Sequence, residues 1–293
     1  METLPATREP FWKAYIALVK PGIILGNAIT AFSGFMLGSQ GHYQEGRFLA
    51  MLFGLSLIIA SGCAFNNYID READKKMRRT QNRPLAKGAI AVKQANLFAA
   101  SLLVLGAFIL GTYTHVLTMA IALFGFAIYV FFYSYLKYRT HRATLIGSIA
   151  GAIPPVVGYT AAMGRLDAAA WILFAILVFW QMPHFFAIAI YRLQDYAAAS
   201  IPVLPLKKGI AATKIQMLIY TIAFAVACCL LPLCGYTNGI YLIICMLLGV
   251  TWIFLSFQGF KATNDAAWAR KMFLFSLIPI TLLSLLTPFC MSF

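Results

Sequence analysis

Residues 48–87 read FLAMLFGLSLIIASGCAFNNYIDREADKKMRRTQNRPLAK. From 48 to 69 no side chain carries a charge, and a helix of that length crosses the ~30 Å hydrocarbon core of a bilayer. From Asp70 onward the character inverts, with three acids inside five residues and then a run of lysines and arginines. Working outward from this stretch, windows as apolar as the first half recur at roughly 19–38, 95–113, 116–136, 144–163, 168–191, 213–233, 238–257 and 272–289. With 48–69 they make nine expected spans. Hydrophobic residues are 61% of the 293-residue chain, charged residues only 11%, and the mean hydropathy is +0.80. One soluble core does not hide that much apolar surface, so the composition places the chain in a membrane.

The expected fold is all-α, a polytopic nine-helix bundle. No Gly/Ser linker or polar insertion is long enough to mark a second domain, so residues 19–293 are read as one domain behind an amino-terminal segment, 1–18. The opening METLPATREPFWKAYIALVK lacks the basic-then-apolar layout and small-residue cleavage site of a secretory signal, so the first span is expected to be retained. The six cysteines lie in or beside apolar spans with no CxxC pair, and read as small hydrophobes rather than metal ligands.

A formal net charge of +14 raises nucleic acid as a partner, but the distribution of the charge argues against it. All 23 Lys and Arg except Arg47 and Arg165 fall at the amino terminus or in the loops after spans 2, 4, 6 and 8. That asymmetry puts the amino terminus and those loops in the cytosol and the carboxyl terminus outside, beside a lipid bilayer and no nucleic acid. Orientation alone leaves the basic surplus after span 2 unexplained.

Asn66, Asp70 and Asp74 follow at i, i+4 and i+8, which aligns three oxygen donors along a helical stripe ~12 Å long. Asp70 and Asp74 repel each other at that spacing and sit at the negative end of the helix dipole. A bound cation cancels both penalties, and carboxylate and amide oxygens suit a hard ion such as Mg²⁺. The bland alternative is a solvated helix end, in which Glu72 pairs with Lys76 and Asp74 with Arg78. Against it stands the excess of Arg71, Lys75, Lys76, Arg78, Arg79, Arg83 and Lys87 over the acids, which calls for a polyanionic ligand. Metal and bases around a diphosphate stabilise the charge that builds as it departs, so the stripe reads as a site that ionises a phosphorylated lipid.

Span 6 supplies a second half. Asp195 ends it, Arg192 lies one turn earlier, and His184 follows Pro183 inside FWQMPHFFAIAIY. An ionisable group at membrane depth is a functional candidate, against the alternative of a structural histidine bonded to a neighbouring helix. Between spans 4 and 5, Lys137, Arg139 and Arg142 are candidates to hold diphosphate or carboxylate groups, or serve only to orient the chain.

The run NNYIDREADKKMRRTQNRPLAKG resembles the first acidic motif of the intramembrane aromatic prenyltransferase superfamily, whose members make quinone and chlorophyll precursors. VKPGIILGNAITAFSGF, TLIGSIAGAIPPVVGY and FWQMPHFFAIAIYRLQDYAAASIPVLP narrow the resemblance to its haem-farnesylating branch, from about Lys20 to the last span. The resemblance implies a nine-helix bundle in a bacterial inner membrane, with a central cavity open to the cytosolic side. It implies farnesyl diphosphate as donor and haem B as acceptor, a substrate rather than a cofactor, with haem O and diphosphate as products. Carried onto this chain, it makes Asn66, Asp70, Asp74 and Asp195 the Mg²⁺ set, the number of ions being left open. Arg71, Lys75, Arg79 and Arg83 become diphosphate binders beside Lys137, Arg142 and Arg192. His184 is left to orient the porphyrin, ligate its iron or assist water. Asn67 where quinone-type enzymes usually carry Asp, and a single acid in the second motif, favour haem as acceptor. Candidate partners are a haem A synthase or an oxidase assembly. The rivals are a sister enzyme acting on an aromatic quinone precursor, and a secondary transporter, whose binding groups would sit near the midplane rather than at cytosolic helix ends.

Overall fold

A computed structural model describes residues 11–292; the first ten residues of the 1–18 segment lie outside the described residues. Among the described residues, nine helices are long and apolar enough to cross a membrane. They are Pro21–Ser39, Glu45–Lys76, Val92–Tyr113, Val116–Leu136, Ala143–Met163, Ala168–Tyr191, Leu204–Leu233, Gly239–Lys261 and Asp265–Phe289, hereafter spans 1 to 9. A tenth helix, Phe11–Val19, precedes span 1 and seats the fully buried Leu18 against span 2 and span 3 residues.

Spans 2, 7 and 9 begin or end several residues beyond the apolar windows, because their polar end turns continue the backbone hydrogen bonding past the apolar stretch. Span 7 breaks at Gly209, whose φ of 83° and ψ of 165° only glycine adopts readily. Span 6 runs on through Pro183 as one helix.

Two apolar cores hold the bundle together. The first gathers Ala31, Phe35, Met51, Leu55 and Leu110 with Val157 from spans 1 to 5. The second gathers Leu173, Leu177, Phe224, Trp252 and Met272 from spans 6 to 9. Spans 1 and 5 cross so closely that backbone touches backbone. A Cβ on Gly34 would lie 1.9 Å from the Pro155 carbonyl oxygen, and one on Gly158 would lie 1.9 Å from that of Ala31. This crossing locks the middle of span 1 against span 5.

Candidate active site

Asn66, Asp70 and Asp74 lie on the carboxyl-terminal third of span 2 and are 3%, 6% and 1% exposed, so the stripe is buried rather than a solvated helix end. Each member has a partner from elsewhere in the chain. Lys137 Nζ lies 2.6 Å from Asp70 Oδ2, and the Tyr138 hydroxyl donates to Asp70 Oδ1 at 2.7 Å. Arg83 Nη1 donates to both oxygens of Asp74 at 2.9 Å. Lys20 Nζ donates to Asn66 Oδ1 at 3.0 Å, while Asn66 Nδ2 donates to Ser134 Oγ at the same distance. The local pairs expected for a solvated end do not form. Glu72 pairs with Lys75 and Arg71, and the buried Asp74 pairs with Arg83 from the turns beyond the helix.

Span 4 delivers three of these groups through a local irregularity. Residues Ile128–Tyr133 form a π-helical turn, and the Ser134 hydroxyl closes it by donating to the Tyr129 carbonyl at 2.9 Å. Such turns re-aim the residues beyond them, here Ser134, Lys137 and Tyr138, onto span 2.

The electrostatics show what the pocket lacks. Burial lowers the Lys20 pKa to about 8, outweighing the nearby Asp70. Burial also lowers that of Lys137, against the opposing pull of Asp70. The Tyr138 phenol is pushed up by burial and then by Asp70. Two ammonium groups thus sit where water solvates them poorly, a standing attraction for an anion.

The other predicted bases divide. Arg71 and Lys75 are occupied on the outer flank by Glu72, and Arg71 also stacks on Tyr68. Arg79 and Arg142 are exposed. Arg192 is half-buried over the Tyr191 ring at 4.4 Å. Lys20, Ser134 and Tyr138 were not anticipated as site residues. Lys20 stands in the quoted VKPG as the residue before a helix-starting proline, the one local signal available.

The segments that follow spans 2 and 6 meet. Met77, Ala199 and Ile201 are buried together, with Ala73, Tyr138, Tyr196 and Val203 packed on them. Asp195, half-buried in the short helix Leu193–Ala198, forms no ion pair among the described residues. It does not join Asp70 and Asp74 in a cluster: among the described residues no three His, Cys, Asp or Glu side chains stand close enough to hold a metal. Two buried carboxylates and an amide oxygen, with no sulfur ligand, nevertheless fit a hard divalent ion by chemistry. Each acid is neutralised by its own cation, and a metal–diphosphate pair would replace both sides of those bonds.

His184 stands at the seam of spans 6 and 9, stacked on Trp180 at 4.8 Å and 5.1 Å from the Phe273 ring, with Nδ1 2.7 Å from Ser276 Oγ. Between spans 1, 5, 6, 8 and 9 a cavity of about 20 Å³ is lined by residues including Thr30, Ser33, Leu173, Leu177 and Tyr241.

Comparison with known proteins gives this geometry a context. Residues 27–278 match the model of the UbiA prenyltransferase family. A protein of Protochlamydia amoebophila (strain UWE25) named "Protoheme IX farnesyltransferase" is 56% identical over 275 residues, 94% of this chain and 97% of that protein. A solved structure described by work on digeranylgeranylglyceryl phosphate synthase superposes with TM-score 0.78 at 19% identity, covering 94% of this chain and 96% of that one. A UbiA homologue from Archaeoglobus fulgidus, bound to GPP and Mg²⁺, superposes with TM-score 0.69 at 14% identity, covering 94% of this chain and 99% of that one.

Proposed function

The chain belongs to the UbiA prenyltransferase family, and from that premise we propose that it transfers farnesyl from farnesyl diphosphate to a vinyl group of haem B. Water completes the hydroxyethylfarnesyl substituent, and the products are haem O and diphosphate. The observation that carries the acceptor is the 56% identity, across 94% of this chain, to a relative named for that reaction. A prenyl diphosphate as donor is supported by the buried acid stripe with its cations and by the GPP and Mg²⁺ bound in a homologue of the same fold.

In this reading Lys137, Arg83 and Lys20 move from their carboxylate and amide partners to the diphosphate oxygens. Arg79 and Arg192 add charge at the rim, with Arg71, Lys75 and Arg142 further out. Asp70 and Asp74 with Asn66 would hold Mg²⁺, which would supply the charge neutralisation that lets the diphosphate depart, and Asp195, which stands apart from them, would complete the set by moving toward it. Tyr138 keeps Asp70 oriented by its hydroxyl. The apolar walls beyond the stripe limit premature capture of the allylic cation by water, so the electron-rich vinyl group attacks it first. His184 serves the acceptor side. The membrane is a bacterial inner membrane with the amino terminus in the cytosol, a reading supported by the confinement of nearly all Lys and Arg to one set of loops. A haem A synthase or an oxidase assembly would then receive the product.

The test is direct. Membranes holding this protein are incubated with labelled farnesyl diphosphate and either haem B, a phenolic acid or a naphthoate, and the extracted products are separated. Label in haem O alone is expected. Label only in an aromatic acid would overturn the acceptor, and label in neither would overturn the reaction.

A further inference from the structure

Ser276 has one hydroxyl hydrogen, and it is already committed: Oγ donates to the Phe273 carbonyl at 2.6 Å. With that hydrogen on the Phe273 carbonyl, the 2.7 Å contact between Ser276 Oγ and His184 Nδ1 is made with the ring nitrogen as donor. That assigns the proton of a neutral imidazole to Nδ1 and leaves Nε2 with a free lone pair. Nε2 makes no hydrogen bond among the described residues and is not one of the fully enclosed unpaired polar atoms, so it stays open to a ligand.

The ring is held as well as protonated in one way. Trp180 stacks on it with an interplanar angle of 27°, and the Trp180 indole N–H is itself anchored on the Ser276 carbonyl at 2.7 Å. One residue of span 9 thus fixes both the imidazole and its stacking partner. Register gives the direction. Leu173 and Leu177 of span 6 line the cavity shared with spans 1, 5, 8 and 9. Trp180, His184 and Ile188 continue that face at helical spacing, whereas the lipid-exposed Trp171 and Phe185 lie on another.

We propose that Ser276 is a positioning residue: by accepting the His184 Nδ1–H and anchoring Trp180, it presents an unprotonated Nε2 to the bundle interior as a ligand for the iron of the metalloporphyrin acceptor. The inference rests on the haem reading above and deepens it. A histidine that binds a metal through one nitrogen usually donates the other N–H to an oxygen, and loss of that partner typically lowers metal affinity about 10–100-fold.

The experiment titrates purified protein in lipid nanodiscs with haem B, and separately with iron-free protoporphyrin IX, following the Soret band and the electron paramagnetic resonance of the ferric form. Wild type should show nitrogen ligation that His184→Ala abolishes. Ser276→Ala should weaken haem B binding about tenfold and leave binding of the iron-free ring and of farnesyl diphosphate within twofold. Ser276→Thr, which keeps a hydroxyl, should restore the wild-type spectrum. The same spectrum and affinity in Ser276→Ala as in wild type would overturn the proposal. So would an equal loss of the iron-free ring, or of farnesyl diphosphate, which would mark a merely structural role. Turnover of haem B by wild type with no nitrogen ligand in the spectrum would remove this inference while leaving the proposed reaction intact; labelled farnesyl appearing only in an aromatic acid would remove that reaction and, with it, this inference.

Discussion

Asp70→Ala separates the structural role of the acid stripe from its chemical one. The side chains of Asp70 and Lys137 are 9% and 13% exposed, and the bond between them is 2.6 Å long. Removing the acid alone strands an ammonium where burial already disfavours its charge. Breaking a buried pair in this way costs about 3–5 kcal/mol, whereas replacing both partners with apolar groups is often close to neutral. At ~2 °C per kcal/mol for a chain of this size, Asp70→Ala should unfold about 6–10 °C earlier in detergent, and Asp70→Ala/Lys137→Met should recover most of that loss. Activity should not follow stability. Both variants lack the carboxylate that would share a divalent ion with diphosphate, an interaction worth several kcal/mol in the transition state, so haem O formation should fall at least ~100-fold in each. Thermal unfolding of the purified variants is read beside haem O extracted from membranes with matched protein content. If Asp70→Ala made haem O at the wild-type rate, the site would be misassigned; if the double variant were as unstable as the single one, the stranded charge would not be the cause.

Three further outcomes follow from the geometry. Lys20 has a folded-state pKa of about 8, below its ordinary value of 10.5, so its buried charge burdens the empty protein below pH 8 and is relieved between pH 8 and 10.5. As pH rises through about 8, stability of the empty protein should therefore increase while its affinity for farnesyl diphosphate falls; Lys20→Arg should flatten both trends, measured by thermal shift and equilibrium binding. Gly158→Ala puts a methyl group 1.9 Å from the Ala31 carbonyl oxygen; overpacking of this kind costs about 1–3 kcal/mol, so the unfolding temperature measured in detergent should drop by about 2–6 °C. Removing divalent ions with a chelator should stop turnover, and Mg²⁺ should restore it better than Ca²⁺, whose larger coordination shell suits the site less; full activity after exhaustive chelation would count against a metal-dependent step.

The number of spans was legible because a bilayer imposes a minimum apolar length on every crossing. The acid stripe was legible because the i, i+4, i+8 relation is set by helix geometry alone. Its partners were not. Lys20 meets Asn66 across 46 residues, and Lys137 meets Asp70 across 67, so both contacts depend on how the spans cross. The π turn at Ile128–Tyr133 that aims Lys137 and Tyr138 has no sequence pattern that announces it. Arg71 and Lys75 show the same dependence on geometry. At one and five residues past Asp70 they are rotated by ~100° and ~140° around the helix, which carries them to Glu72 on the outer flank. A charge run identifies which residues are available, and the helix azimuth decides which of them face the site.

The closed state of the site follows from the same electrostatics. Two acids at i, i+4 on the negative end of a helix dipole are tolerable in a buried pocket only if each is neutralised, and Lys137 and Arg83 do this one to one. A bare divalent ion entering the pocket would meet those two cations and Lys20, and gain the acids only by displacing them. A diphosphate alone would satisfy the cations and strand the acids. Only the ion and the diphosphate together would give every buried charge a new partner, so under the proposed function joint binding would be favoured over either ligand alone. Burial is what enforces that coupling: on an exposed helix end, water would stabilise each charge separately and neither ligand would depend on the other.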